Sequence, residues 1–227
     1  MLNKTAPPAL NQRILLRSRL FSLLDKTENA SGIWLSGPAG SGKTSLIASY
    51  LADRQIPAMW YRIDTDDNDI SNFLYFLGLS AKPFMKPGSP DLPLLTPEYM
   101  PGLDSFITRY FDTLCCHLTS AAWVVLDNFQ HIADDSPMTQ QLARVIAQIP
   151  MDLKFAVVSR QDPPPVMARL RANQRLTHME GRLLALSADE CQQLAKKLHV
   201  SWSENEENEC HRITRGWIAG VVLWSLY

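Results

Sequence analysis

The chain has 227 residues, and 46% of them are hydrophobic, which is enough for a sizeable core. A formal charge of -1, from 22 Lys and Arg against 23 Asp and Glu, gives no overall field that would draw the protein to nucleic acid or to a membrane surface. The N-terminus lacks the apolar core of a signal peptide, and the longest apolar run, residues 217–227, is shorter than the roughly 20 residues that a bilayer span takes.

Strand-like and helix-like segments alternate along most of the chain. Apolar runs predict strands at residues 32–36, 58–64, 121–128 and 153–160. Helical spacing of apolar residues predicts helices at 17–26, 43–54, 69–79, 103–118, 138–149 and 164–172. Strands that alternate with helices are typical of right-handed crossovers and a parallel sheet.

Two segments depart from this alternation. Residues 83–101 contain six prolines, a density that neither helix nor sheet tolerates, so they are predicted to form a long loop. After Gly181 the strand signals stop, and Ser187 and Glu190 form a capping-box pattern at the start of a helix. We therefore predict a core at residues 1–181 and the start of a small helical subdomain at residues 182–227.

The most informative stretch is residues 36–46, which read SGPAGSGKTSL directly after an apolar run. Gly37, Gly42, Lys43 and Thr44 fit G-x-x-x-x-G-K-[ST], the phosphate-binding loop of nucleotide-binding proteins. The alternative is a plain glycine turn before a helix, but the required context of a strand before and a helix after favours the loop. The candidate nucleotide-binding residues are Gly37, Pro38, Ala39, Gly40, Ser41, Gly42, Lys43, Thr44 and Ser45.

The residue types of this loop suit ATP or ADP with Mg²⁺. Glycines let backbone N–H groups approach an anion, and the N-terminus of the following helix adds a partial positive charge. Lys43 is predicted to reach the β- and γ-phosphates, and the Thr44 hydroxyl is predicted to ligate Mg²⁺.

Asp127 is the second candidate for Mg²⁺, because it ends an apolar strand at the sheet edge where ligands of open α/β sheets bind. An aspartate that merely caps the next helix is the alternative. The following Asn128 is the only candidate at the catalytic position, and its amide can orient a water but cannot accept a proton. Hydrolysis is therefore slow, or another group assists it, or the protein is chiefly a binding switch.

Arg160 ends the strand at 153–160 and would face the γ-phosphate if that strand lay beside the Asp127 strand, because the guanidinium fork suits phosphate oxygens. The alternative is a surface arginine in a loop.

The aspartates at 64–69 miss the calcium-loop pattern and are interpreted as a capped, solvated loop. The arginines at 169–175 are interpreted as a solvated helix face. Four cysteines without C-x-x-C spacing indicate reduced thiols in a cytoplasmic protein.

Several strings, in order, resemble one family, the ATPase module of the MalT-like STAND proteins, which are large ATP-binding LuxR-type transcription regulators. They are RSRLFSLL, GPAGSGKTSL, WYRIDTDDNDISNFLYFL, VVLDNFQHI, VVSRQDPPPVMARLRA and ITRGWIAGVVL. Together they cover most of the chain outside the proline-rich loop. The last two are more specific to the family than the phosphate loop is.

This resemblance implies more than the residues show alone. It places the strand at 153–160 between the phosphate-loop strand and the Asp127 strand, and it makes Arg160 a γ-phosphate sensor. It places Gly216 and Trp217 over the nucleotide, so that ATP or ADP sets how tightly the subdomains close. It also implies self-association in the ATP state. The predicted fold class is α/β: a P-loop NTPase with a parallel five-stranded sheet flanked by helices, followed by a small helical subdomain.

Two departures from the family matter. The family usually has a second Asp where this chain has Asn128, which bears on turnover. Longer relatives continue into a DNA-binding helix-turn-helix, for which this chain has no motif, so it resembles an isolated nucleotide-binding module. Three functions stay open at this point: an ATP-dependent signalling switch, an ATPase that does mechanical work on nucleic acid or protein, and a nucleotide-binding scaffold without turnover.

Overall fold

The computed structural model describes residues 4–27, 29–119, 122–149 and 153–226. Its strands are β1 Gly32–Leu35, β2 Ala58–Arg62, β3 Trp123–Asp127, β4 Lys154–Val158 and β5 Leu176–Met179. Its helices are α1 Ser18–Asp25, α2 Lys43–Asp53, α3 Ile70–Ala81, α4 Leu103–His117, α5 Pro137–Gln148, α6 Ala168–Ala172, α7 Ala188–Lys197, α8 Glu204–Thr214 and α9 Ile218–Trp224.

The five strands form one parallel sheet in the order β2-β3-β4-β1-β5. The predicted α/β fold with a parallel five-stranded sheet is confirmed. The order also places β4 between β1 and β3, as the family resemblance implied. The carboxyl ends of β1, β3 and β4, which carry the phosphate loop, Asp127 and Arg160, therefore lie side by side at one edge of the sheet.

Apolar side chains cover both faces of the sheet, which explains why β1 and β3 are continuous apolar runs. Trp34 and Tyr61 belong to the core on the face covered by α3, α4 and α5. Ile33 and Trp60 belong to the core on the opposite face, under α1 and α2. This alternation from one residue to the next fixes the register of the sheet, because a slip of one residue would exchange the two faces.

The fifth strand was not located by the sequence analysis. β5 is a four-residue edge strand in which only the first and last residues are buried, so it carries no apolar run. The helix predicted at 164–172 is also shorter than expected. It consists of a 3-10 turn at Pro165–Met167 followed by the five-residue α6. The three consecutive prolines at 163–165, the last of which begins the 3-10 turn, prevent an earlier helical start.

The proline-rich loop carries 3-10 turns at its two ends, Lys82–Phe84 and Pro97–Gly102. The interpretation of residues 64–69 as a capped loop agrees with the structure, but the loop is not wholly solvated. Asp67 is buried and accepts hydrogen bonds from the Lys4 amine at 3.1 and 3.2 Å. The solvated-face interpretation is likewise wrong for Arg175, whose guanidinium donates to the carbonyl oxygens of Ile146 and Ile149.

The helices α7, α8 and α9 pack around a small core of their own, which includes Leu194, Cys210 and Val221. The capping box at the start of α7 is present, with Ser187 and Glu190 each accepting a backbone N–H of the other. The division of the chain at residue 181 stays a prediction. None of the helices in the described part of the chain has the length and apolar character that a bilayer span requires.

Candidate nucleotide-binding site

The loop between β1 and α2 has the backbone of an anion cradle. Gly42 is the N-cap of α2 with φ +83°, and no side chain caps this helix. The first-turn N–H groups of α2 therefore keep their capacity to donate to a ligand. Gly40 also has a positive φ, of +74°, in the region that favours glycine.

Lys43 is buried and folds back over this loop. Its Nζ donates to the carbonyl oxygens of Gly37 at 2.6 Å and Pro38 at 2.8 Å. Burial lowers the pKa of the Lys43 amine, and the nearby positive charge of Arg160 lowers it further, while Asp127 acts in the opposite sense. An anion between Lys43 and Arg160 would relieve their mutual repulsion, so the charges of the site favour a phosphate there.

Thr44 and Asp127 meet as the two candidate Mg²⁺ ligands should. The Thr44 Oγ1 donates to the Asp127 Oδ1 at 3.0 Å. Burial raises the pKa of the Asp127 carboxyl, although the Thr44 hydrogen bond and the charge of Arg62, whose Nε lies 3.8 Å from Oδ2, favour its ionised form. A buried carboxylate with a neighbouring hydroxyl is an oxygen donor set that fits Mg²⁺. A bound cation would also offset the cost of burying the charge.

Asn128 has a left-handed backbone, with φ +63° and ψ +38°, a conformation that Asn tolerates better than most residues. Its N–H donates to the Asp127 Oδ1 at 3.0 Å, so it helps to fix the carboxylate. The Gln130 Nε2 lies 3.4 Å from the Asn128 Oδ1 and donates to it. Among the described residues, Gln130 is the partner of the Asn128 side chain, which as an amide has no capacity to take a proton.

Gln130 is a site residue that the sequence analysis missed. Its Oε1 accepts a hydrogen bond from the Arg160 backbone N–H at 3.1 Å. Gln130 thus joins the segment after β3 to the segment after β4. The available signal was its position, two residues beyond Asn128 at the ligand edge of the sheet.

Arg160 lies two residues beyond the end of β4 and is exposed. Within the part of the chain that the structure describes, nothing accepts a hydrogen bond from its guanidinium. An exposed guanidinium beside the phosphate loop is available to a ligand, in keeping with the predicted contact to the γ-phosphate.

The segment at Gly216 and Trp217 contacts the phosphate loop in two ways. The Trp217 Nε1 donates to the carbonyl oxygen of Ala39 at 2.9 Å, and the Ala219 N–H donates to that of Gly40 at 3.0 Å. The fit is tight, because a Cβ at Gly40 would lie 2.5 Å from the Ala219 Cβ. Gly216 itself packs on Leu186 rather than on the loop. Helix α9 thus rests on the loop backbone.

A cavity of about 280 Å³ adjoins the loop where α2 begins. Three parts of the chain line it: the segment before α1, the start of α2, and helices α7 and α9 with the segment just before α7. Its lining includes Ile14, Leu15, Ser45, Leu186 and Ile218. No sequence pattern indicated this cavity, because its walls are far apart along the chain.

A buried ion pair ties α1 to α7 beside this cavity. The Arg17 Nη2 lies 2.7 Å from the Glu190 Oε2, and the Arg17 Nη1 donates to the carbonyl oxygen of Leu184 at 2.7 Å. Arg17 is only 3% exposed. The interactions join the start of the core to the helices that follow it, and the sequence analysis had not singled out either partner of the pair for this contact.

A phosphate loop between β1 and α2, an aspartate at the end of β3 and an intervening β4 define the fold of a P-loop NTPase. Solved structures agree with this fold. A Signal Transduction ATPase with Numerous Domains (STAND) with a tetratricopeptide repeat sensor, from Pyrococcus horikoshii, matches 97% of this chain and 30% of its own, with a TM-score of 0.65 and 20% identity. The Walker-type ATPase of Pyrococcus abyssi matches 100% of this chain and 71% of its own, with a TM-score of 0.58 and 16% identity.

Curated relatives of this chain include the HTH-type transcriptional regulator MalT of several bacteria. The HTH-type transcriptional regulator MalT of Vibrio cholerae is 27% identical over 190 residues, which are 83% of this chain and 21% of the regulator. MalT of Yersinia enterocolitica is 26% identical over 227 residues, 99% of this chain and 25% of the regulator. The chain spans about a quarter of the length of the curated relatives it matches. No protein-family model matches it. The predicted resemblance to the ATPase module of the MalT-like STAND proteins is confirmed.

Proposed function

We propose that this chain is the nucleotide-binding switch module of a STAND-type transcription regulator, that it binds ATP and ADP with Mg²⁺, and that it hydrolyses ATP slowly. The observation that carries the proposal is the contact between α9 and the phosphate loop, through Trp217 and Ala219. A nucleotide that changes the loop changes the surface on which α9 rests.

Each group of residues in the site has a separate role in binding the nucleotide. The loop N–H groups and Lys43 bind the phosphates, and Thr44 and Asp127 hold Mg²⁺, which supplies charge neutralisation at the terminal phosphates. Arg160 contacts the γ-phosphate and so distinguishes ATP from ADP. The cavity beside Gly42 and Ser45 is in position to receive the base, and its apolar lining suits an aromatic ring.

Slow hydrolysis follows from Asn128. General-base assistance typically contributes a factor of about 10² to 10⁴ in rate, and an amide cannot provide it. This feature argues against an ATPase that does mechanical work, which needs rapid turnover. The direct contact between the phosphate loop and α9 favours the switch over a scaffold without turnover, because a scaffold does not need a nucleotide-sensitive contact.

Calorimetry and a single-turnover assay on the unmodified protein test the proposal together. Binding of both nucleotides, with one slow turnover and retained ADP, supports the switch. No binding of either nucleotide would remove the central claim. Rapid multiple turnover would favour the mechanical ATPase, and binding without turnover would favour the scaffold.

Asn128→Asp restores the pair of carboxylates that the family usually has. We expect it to raise turnover measurably, provided that the new carboxylate reaches the water in line with the γ-phosphate. Asn205→Asp, an equal charge change on the exposed first turn of α8, is the matched control. If the unmodified protein already turns over at about 1 s⁻¹ or faster, in the usual enzyme range, the base lies elsewhere and the slow-switch proposal is overturned.

We assign DNA binding to none of the residues of this chain. The relatives are named as HTH-type transcriptional regulators, and the sequence analysis found no helix-turn-helix motif here. Self-association in the ATP state and a cytoplasmic location belong to the same proposal. Light scattering with ATP, with ADP and without nucleotide tests the self-association, which predicts a larger mass with ATP alone.

A further inference from the structure

Three polar side chains meet behind the phosphate loop, at the carboxyl ends of the adjacent strands β4, β1 and β5. Ser36 follows β1 and immediately precedes the loop, Asp162 follows β4, and His178 lies on β5. The Ser36 Oγ is 2.6 Å from the Asp162 Oδ1 and 2.8 Å from the His178 Nε2. The network joins the phosphate loop to a residue two positions after Arg160.

We assign the protons of this network from the hydrogen-bonding capacity of each group. The His178 Nε2 also lies 3.4 Å from the Asp162 Oδ1. Asp162 is only an acceptor when ionised, so the Ser36 hydroxyl donates to it. The Ser36 oxygen then accepts from His178, whose Nε2 carries the proton. Within the described residues, the buried His178 Nδ1 has no hydrogen-bond partner. Burial lowers the pKa of the ring, although the charge of Asp162 acts in the opposite sense, and this favours the neutral imidazole. Ser36 is thereby held between a donor and an acceptor.

The same three residue types serve as a nucleophilic triad in hydrolases, but this arrangement does not have that order. In a triad the histidine accepts the serine proton, and the carboxylate orients the histidine through its other nitrogen. Here the serine proton points to Asp162, and the His178 Nε2 is a donor. The network therefore holds Ser36 in place instead of activating it.

Further hydrogen bonds hold the backbone of the loop after β4 near Asp162. The Trp34 Nε1 donates to the carbonyl oxygen of Gln161 at 2.9 Å, and the Arg160 N–H donates to Gln130. The backbone on both sides of Arg160 is thus bonded to neighbouring segments, while the guanidinium is exposed. A charged side chain that must meet a phosphate benefits from a backbone held in this way, because less freedom is lost on binding.

We propose that Ser36 and Asp162 are positioning residues that hold Arg160 in register with the phosphate loop, so that its guanidinium meets the γ-phosphate of ATP. His178 supports them by donating to Ser36. This inference rests on the proposed function, since it assumes that Arg160 contacts the γ-phosphate. It assigns a role in ATP recognition to side chains that do not themselves touch the ligand.

A double-mutant cycle of Asp162→Ala with Arg160→Ala tests the proposal, with the dissociation constants of Mg-ATP and Mg-ADP as readouts. We expect Arg160→Ala to weaken ATP about tenfold, in line with the loss of one charge-assisted hydrogen bond, and to leave ADP within about twofold. Asp162→Ala should weaken ATP at least about threefold with ADP again spared, and it should add nothing in the Arg160→Ala background.

Three further variants sharpen the test. Asp162→Asn keeps an oxygen that accepts from Ser36 and should retain most of the ATP affinity. Ser36→Ala should reproduce the effect of Asp162→Ala, and the exposed Asp135→Ala controls for the lost charge. Thermal unfolding of each variant shows whether it is folded.

Several results would overturn the inference. If Asp162→Ala weakened ATP and ADP equally, the network would be merely structural. If its effect added fully to that of Arg160→Ala, or if Arg160→Ala spared ATP, Asp162 would not act through Arg160. An unmodified protein that bound neither nucleotide would refute the proposed function instead, so the two failures are distinguishable.

Discussion

Gly216→Ala is expected to loosen the helical segment from the core. Gly216 has φ +73°, and a Cβ there would lie 2.4 Å from the carbonyl oxygen of Leu186 and 2.7 Å from its nitrogen. Those atoms belong to the backbone, which cannot swing aside as a flexible side chain would. The Leu186 N–H also donates to the carbonyl oxygen of Gly216 at 2.8 Å, and the added methyl group would strain this hydrogen bond.

Two contributions set the size of the effect. A non-glycine residue in the left-handed region costs roughly 1–2 kcal/mol, and an extra methyl group in a packed site costs typically about 1–3 kcal/mol. The sum is a loss of about 2–5 kcal/mol in the free energy of unfolding. In a chain of this size each kcal/mol lowers Tm by about 2–4 °C, so the expected fall is on the order of 10 °C.

Gly88→Ala is the matched control, because Gly88 has φ +79° and, among the described residues other than its two chain neighbours, none lies within 4 Å of the position that its Cβ would take. It has the conformational contribution without the clash. Urea unfolding followed by circular dichroism measures both variants against the unmodified protein. Gly216→Ala should be the less stable by about 1–3 kcal/mol, the share assigned to the clash. Equal stability of the two variants would refute the close packing of Gly216 on Leu186.

The other predictions concern the site and the ion pair. Lys43→Ala should weaken ATP at least about tenfold in calorimetry with the fold intact, because a charged hydrogen bond contributes roughly 1.5–3 kcal/mol, and unchanged affinity would contradict the phosphate-loop assignment. EDTA should reduce ATP affinity more than ADP affinity, since Thr44 and Asp127 are assigned to a metal at the terminal phosphates; equal sensitivity would count against Asp127. Burial opposes ionisation of Glu190, but hydrogen bonds from Arg17 and from a backbone N–H outweigh it and lower its pKa. The ionised Glu190 therefore stabilises the fold above its unfolded pKa of about 4.3, and this stabilisation is lost as pH falls through the folded pKa. Glu190→Gln removes the titrating group, so the free energy of unfolding should depend less on pH below about pH 4.3 than it does in the unmodified protein. Urea unfolding at several pH values measures this dependence.

Much of the fold could be predicted from the sequence because its signals are local. The buried strands β1 and β3 are continuous apolar runs, and helix α3 begins after Asp69, whose side chain accepts from the N–H groups of Ser71 and Asn72. The edge strand β5 could not be found in this way. Its pairing with β1 depends on the rest of the sheet, and its two middle residues, Thr177 and His178, are only partly buried.

In the candidate site, too, the residues found from the sequence carry a local signal and those that were missed do not. The phosphate loop and Asp127 were found because each is a short motif with a known spacing. Gln130, the Ser36 network and the Arg17–Glu190 pair join residues that are far apart along the chain or that carry no motif. Such contacts follow from the sheet order, which decides which strand ends are neighbours, and the order was implied by family resemblance rather than by residue pattern.

In the proposed function, different parts of the chain recognise the nucleotide and respond to it: Arg160 distinguishes ATP from ADP, and α9 responds through its contact with the phosphate loop. A ligand shifts a conformational equilibrium only as far as its affinities for the two states differ. Arg160, which follows β4, is the group that the proposed function assigns to the phosphate that ADP lacks. Helix α9 rests on the loop through Gly40 and Gly42, where an added Cβ would lie 2.5 Å from Ala219 and from Ile218. The glycines that we propose admit the phosphates also admit the helix. A nucleotide-dependent shift of the loop by the width of a methyl group would therefore alter the contact between the loop and α9.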